Sequence, residues 1–265
     1  MTAAEPVPKI RLRNLHKAFG PKVVLDGVDL DIAAGDSVVI VGGSGVGKSV
    51  LLKHIIGLLP PDEGSVEIDG TVLSDLSVKE LTEFRRKFGM AFQEGALFDS
   101  MTVGENIGFP LTRRRPRRRD EVRARVAECL ELVQLAGIES KMPSELSGGM
   151  RRRVGFARAI VHKPEILLFD EPTTGLDPVT KATIDELIIE LQRTLGSTLV
   201  TISHDMGSVF RIADRMAMLY DGKIIAQGPP DEMRRSRDPR VSEFLRRDLE
   251  MWQRAASDST RGDRP

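Results

Sequence analysis

Apolar and polar residues alternate through Lys9 to Ile32, in the segments IRLRNL and VVLDGVDLDI. A period of two is the mark of a half-buried strand. A further short strand is expected at Ser65 to Val72, around the turn residues Asp69 and Gly70, so the first part of the chain predicts an antiparallel β layer. From Lys79 to Pro164 the spacing becomes helical, as in Leu81, Phe84 and Phe88, or Val122, Val126, Cys129, Leu130 and Val133. This predicts a helical insertion. Continuous apolar runs follow at Ile166 to Asp170, Ser197 to Ser203 and Arg215 to Tyr220, with a helical stretch around Ala182 to Leu195. Strand, helix, strand in that order predicts a parallel sheet with crossovers, and hence an α/β fold.

The tail has its own rhythm. Val241, Phe244, Leu245, Leu249 and Trp252 recur at i, i+3, i+4, i+8 and i+11, which puts them on one face of a helix. Asp238 is placed to cap that helix and Pro239 to occupy its first position. So short a helix needs a surface to dock on, either its own subunit or a neighbouring one. We therefore divide the chain into a main domain at 1–235, with the helical subdomain at about 79–164, and a helical tail at 236–265 whose end is expected to be disordered.

Between the alternating strands and the helical insertion lies VVIVGGSGVGKSVLL, an apolar run, a glycine-rich loop, and a second apolar run at helical spacing. Gly42, Gly43, Gly45 and Gly47 allow backbone N–H groups to converge on phosphate oxygens, with Ser44 and Val46 completing the loop. Lys48 is placed to reach the β- and γ-phosphates, and Ser49 to offer a hydroxyl to Mg²⁺ at the start of a helix. The order strand, loop, helix is the context such a phosphate cradle requires, and it predicts a nucleotide-binding P-loop NTPase; the two acids that follow make an ATPase, with ATP bound, the better reading. Further along, ILLFDE ends a strand in two carboxylates, Asp170 and Glu171, which side-chain alternation assigns to different tasks. Asp170 suits Mg²⁺ on the Ser49 side; Glu171 suits the polarising of a water that attacks the γ-phosphate. Ser147, Gly148 and Gly149, in LSGGM, precede a helix running from Met150 towards Ile160 and make a second set of backbone donors at a helix N-terminus.

Composition narrows the picture. The 265 residues carry 39 Lys+Arg and 39 Asp+Glu, so no global charge points to nucleic acid. No apolar run approaches the roughly 18 residues that span a bilayer, and the N-terminus lacks the apolar core of a secretory signal, so a cytosolic protein is expected. A lone cysteine, Cys129, sits in an apolar-periodic segment and reads as a packed thiol. His16, His54 and His162 have no metal-ligand spacing and read as structural or surface residues. The run RRRPRRR at 113–119 is either a solvated loop or a contact for anionic headgroups or a partner.

The phosphate loop, ILLFDE and LSGGM together resemble the ATPase subunits of ABC transporters, over about Ile10 to Gly228. The resemblance implies that the signature segment of one subunit closes over the nucleotide held by another, in a homodimer. It also implies roles for residues that spacing alone does not assign. Gln93, in AFQEGALF, is similar to the Q-loop residue that touches Mg²⁺; Asp177, in TGLDP, matches the D-loop; His204, in ISHD, matches the switch histidine at the γ-phosphate; Phe19 resembles the aromatic that stacks on adenine. Met150 stands where many members have Gln, and Phe19 where Tyr is commoner, but neither change removes a phosphate donor. FQEGALFDSMTVGENIGFPL, MPSELSGGM and DPRVSEFL resemble, more narrowly, the Mla/MCE phospholipid-trafficking ATPases of double-membraned bacteria. That implies membrane permease subunits, an MCE-type periplasmic lipid-binding subunit reached through the permease, room for a small cytosolic regulatory subunit, and a site on the cytoplasmic face of the inner membrane. The apolar residues Leu97, Phe98, Met101, Val103 and Ile107 either line a groove for a permease helix or pack the subdomain. A soluble ABC-type switch acting on ribosomes or DNA is the alternative, against which stand one cassette and no sustained heptads. A GTPase or small-molecule kinase is opposed by LSGG and by the absence of an Asn-Lys-x-Asp segment.

Overall fold

The alternating N-terminal segment does fold as an antiparallel layer. In the computed structural model, which describes residues 7–93, 95–112 and 118–246, β1 (Ile10–Phe19) pairs with β2 (Lys22–Ile32) and with β4 (Glu63–Ile68), and β5 (Thr71–Val72) completes the order β2-β1-β4-β5. The second sheet contains β3 (Ser37–Val41), β6 (Phe88–Ala91), β7 (Ile166–Asp170), β8 (Thr198–Ile202), β9 (Arg215–Tyr220) and β10 (Lys223–Gly228) in the order β10-β9-β3-β8-β7-β6. All its pairings are parallel except β9 with β10.

Strand alternation divides the core in two. Val38, Ile40, Ile166, Leu168, Val200 and Ile202 face the antiparallel layer, where α1 (Lys48–Ile55) is packed through Leu51, Leu52 and Ile55. Val39, Val41, Leu167, Phe169 and Leu199 face the opposite way, onto a layer of helices. That layer contains α3 (Val103–Thr112), α4 (Arg119–Leu132), α5 (Gly148–Ile160), α6 (Pro178–Leu195) and α7 (Met206–Ile212). The short helices α2 (Val78–Phe84) and α8 (Pro230–Arg234) lie at the periphery. Cys129 is buried in this helical layer, and desolvation pushes its thiol up to about 11, so it is a packed, unreactive group. His54 and His162 bond to the Leu59 and Phe88 carbonyls.

Two local readings change, and a third is decided. Phe88 is not helical: it opens β6, a strand of four residues whose brevity hides any alternation and which sits at the edge of the large sheet. The helical subdomain is thus interrupted by a core strand. Strand β10 was not foreseen, although Asp221-Gly222, both at positive φ, is a two-residue hairpin signal. Val103 and Ile107 are buried in the core, whereas Met101 and Phe109 line a groove of ≈ 950 Å³ between α3 and α4. Most of the arginine run, 113–117, lies outside the described residues; Arg119 opens α4.

The tail helix begins as its sequence suggests. Asp238 accepts a 2.8 Å bond from the Arg240 amide, and its carboxyl, hydrogen-bonded to the Arg240 guanidinium, is held down to about 2. Residues 239–246 are helical, and Val241 and Leu245 are buried against their own subunit; Leu249 and Trp252 lie outside the described residues. Leu245→Ala is therefore expected to cost about 2–4 kcal/mol in the isolated subunit, as core truncations do. Urea unfolding monitored at low protein concentration measures this, and an unchanged midpoint would mean that another subunit covers that face.

Candidate active site

The phosphate loop leaves the end of β3 under tight steric control. Gly42 has φ +152°, and a Cβ there would lie 2.3 Å from the Leu219 carbonyl oxygen; at Gly47, φ +107°, it would lie 2.8 Å from Val24 Cγ1. Only glycine fits at these two positions. α1 then starts at Lys48 with no side-chain cap and no acidic residue in its first turn, so its amides and dipole favour an anion. Lys48 is 8% exposed, and its ammonium donates to the Gly42 and Gly43 carbonyls at 2.8 and 2.9 Å. Burial lowers its pKa, against the pull of Glu171 and Asp170.

The second wall comes from β7 and β8. Ser49 Oγ donates to Asp170 Oδ1 at 3.3 Å, and the carboxyl of Asp170 is raised by burial first and by the charge of Glu171, against the hydrogen bond from Ser49. Glu171 lies at φ +52°, a left-handed conformation that a non-glycine residue keeps only where its surroundings impose it. Here they do. Its amide donates to the Ile202 carbonyl at 3.0 Å, Thr174 Oγ1 donates to its Oε2 at 2.8 Å, and His204 Nδ1 stands 2.8 Å from the same oxygen.

These groups share one cleft of ≈ 790 Å³. Of the predicted residues, Phe19, Gly42, Gly43, Ser44, Gly45, Gly47, Lys48, Ser49, Gln93, Glu171 and His204 line it, while Asp170 meets it through Ser49. Val46 instead packs against the core beneath the antiparallel layer. Thr174 and Phe244 also line the cleft and were missed. Thr174 follows Glu171 by one turn, which is a usable signal; nothing in the spacing of the tail says that Phe244 reaches a site built around residue 48.

The signature segment stands elsewhere. Ser147 caps α5 by accepting the Met150 amide at 3.2 Å, and Asp177 caps α6 by accepting the Val179 and Thr180 amides at 3.1 and 3.0 Å. A Cβ on Gly149 would lie 3.2 Å from Thr180 Cγ2, so the two helix starts are neighbours. Ser147, Gly148, Gly149 and Asp177 do not line the cleft that holds Lys48. Within one chain the phosphate-loop face and the signature face are thus separate.

The sequence profile of the ABC transporter family matches residues 25–174, the stretch that runs from β2 through the phosphate loop and signature helix to Glu171 and Thr174. The chain belongs to the ABC transporter family. It is 44% identical over 236 residues to the probable ribonucleotide transport ATP-binding protein mkl of Mycobacterium leprae, covering 89% of this chain and 68% of that one. To the intermembrane phospholipid transport ATP-binding protein MlaF of Haemophilus influenzae it is 40% identical over 237 residues, covering 89% and 90%. Among solved structures, the dimeric ADP- and Pi-bound ATP-binding cassette MJ0796 superposes with a TM-score of 0.76 at 36% identity, over 83% of this chain and 98% of that one. This ABC cassette is an ATPase with the fold of those structures.

Lys48 is the most buried cation of the cleft and sits on the loop it would share with phosphate. Lys48→Ala is expected to weaken ATP binding about 10- to 100-fold, the range of one charged hydrogen bond. Titration calorimetry with ATP measures it; unchanged affinity would take Lys48 out of the phosphate site.

Proposed function

We propose that this ABC cassette is the ATP-hydrolysing subunit of a transporter that moves phospholipid, or a related hydrophobic molecule, between membranes of a bacterial envelope. What carries the lipid reading is the likeness to MlaF along nearly the full length of both chains. The likeness to mkl favours a second cargo, a ribonucleotide. In either case the cargo would be handled by membrane subunits; among the described residues no helix is long and apolar enough to cross a bilayer. The subunit would sit on the cytoplasmic face of the inner membrane, bound to permease subunits, with an MCE-type periplasmic subunit and a small regulatory subunit completing the assembly. The groove between α3 and α4 offers Met101, Phe109 and Val122 to a permease helix.

In this reading the loop from Gly42 to Ser49 holds the phosphates. Among the described residues no cluster of three His, Cys, Asp or Glu stands ready for a metal. Ser49 and Asp170 nevertheless fit Mg²⁺, since they set two hard oxygens beside the phosphate loop, and Mg²⁺ commonly takes one or two protein groups and completes its shell with phosphate and water. Gln93, which lines the same cleft, would add the oxygen of its side-chain amide. The metal would supply charge neutralisation at the phosphates. Glu171 takes the proton of the attacking water, with its Oε2 held by Thr174 and approached by His204. Phe19 stacks on the base. Two copies close head to tail, so that Ser147, Gly148, Gly149 and Asp177 of each face the nucleotide of the other.

Glu171→Gln is expected to keep ATP affinity and to lose turnover by about 100-fold or more. A steady-state phosphate-release assay decides it, and normal hydrolysis would remove Glu171 from its role. For cargo, the complex with its permease, reconstituted between donor and acceptor vesicles, should transfer labelled phospholipid only with ATP. Transfer of ribonucleotide and no lipid would favour the second reading.

A further inference from the structure

The side chain of Arg152 ties the signature helix α5 to the loop that carries Glu171. Arg152 is 8% exposed, and its guanidinium donates from Nε to the Gln93 carbonyl at 2.6 Å, from Nη1 to the Pro172 carbonyl at 3.3 Å, and from Nη2 to the Thr174 carbonyl. These acceptors belong to two loops: the turn that follows β6 and the segment that follows Glu171. A planar fork with five N–H donors can serve them together, whereas an ammonium cannot hold that geometry.

Thr174 is the point where this latch meets the chemistry. Arg152 holds its carbonyl, while its hydroxyl donates to Glu171 Oε2 at 2.8 Å. On the other side, α5 and the turn after β6 are pressed into one body. A Cβ on Gly155 would lie 2.8 Å from the Gly95 Cα, and one on Gly95 would lie 2.6 Å from the Arg151 carbonyl oxygen. Arg158 adds bonds to the Gly95 and Ala96 carbonyls at 2.7 and 2.8 Å. Displacement of that turn must therefore carry α5 with it, and Arg152 passes the displacement to Thr174.

We propose that Arg152 is a positioning residue for hydrolysis: it sets Thr174, and through Thr174 the carboxylate of Glu171, according to where the signature helix and the Gln93 turn lie. The inference rests on Glu171 acting as the base. Because Arg152 lies on the helix that begins with the signature, the residue would make turnover, rather than nucleotide binding, sensitive to that helix.

The test is a double-mutant cycle in the full chain, with Arg152→Lys, Thr174→Val, and both together, each measured for ATP affinity and for kcat. Arg152→Lys is expected to leave affinity within about twofold while lowering kcat about 10- to 100-fold, the scale of a misplaced catalytic group. Thr174→Val should reproduce the kcat loss, and the double variant should be no slower than the worse single one, because the two act in series. Multiplying losses, or a normal kcat in Thr174→Val, would overturn the proposal, and the second readout stands even if Arg152→Lys does not fold. Glu171→Gln in parallel separates the two ideas: if it still turns over, the base assignment has failed, whereas if it is dead and the cycle is additive, only the Arg152 link has.

Discussion

Three parallel strands ending side by side decide where the chemistry of this protein sits. In the register of the large sheet, Ile202 of β8 lies abreast of Ile40 of β3 on one side and of Asp170 of β7 on the other. A step or two further along each strand lie Gly42, Ser203 with His204, and Glu171. Loops that follow the carboxyl ends of parallel strands form the natural crevice of an open α/β sheet. The Ile202 carbonyl accepts the Glu171 amide at 3.0 Å, so the strained backbone of Glu171 is fastened to the strand that also presents the histidine.

That convergence has an electrostatic consequence. A buried ammonium and two carboxylates are brought together where water is partly excluded, and burial works against the charge of Lys48 and Asp170 alike. Each is partly relieved by the other. A polyphosphate with its cation would relieve both more fully, by giving Lys48 an anion and Asp170 a positive neighbour. Under the proposed function the cleft would therefore suit a polyphosphate with its cation.

Much of this was legible in the sequence because the features are local. The phosphate loop, the ILLFDE strand and the capping residue Asp238 act within a few positions of themselves, and spacing reports them. Long-range features left weaker traces. Strand β6 owes its place to pairing with β7, not to its own four residues, and Phe88 therefore read as helical. Val103 and Ile107 read equally as groove or as core, because the spacing of a helix does not say which layer covers it. Arg152 is hidden in a run of three arginines, and only the fold shows that this one turns inward. Phe244 reaches the cleft by way of a tail whose path no periodicity encodes.

In the proposed function the phosphate-loop face and the signature face are halves of one site, completed between subunits. Signature and phosphate loop are separated within the chain, while each has the form of an anion site at a helix start. Mixing a Lys48→Ala subunit with a Gly149→Asp subunit puts this to the most direct test, since a mixed dimer pairing head to tail restores one intact site. ATP hydrolysis in the mixture should clearly exceed that of either variant alone. Activity no greater than the separate samples, with mixed dimers demonstrably present, would contradict a site shared between subunits.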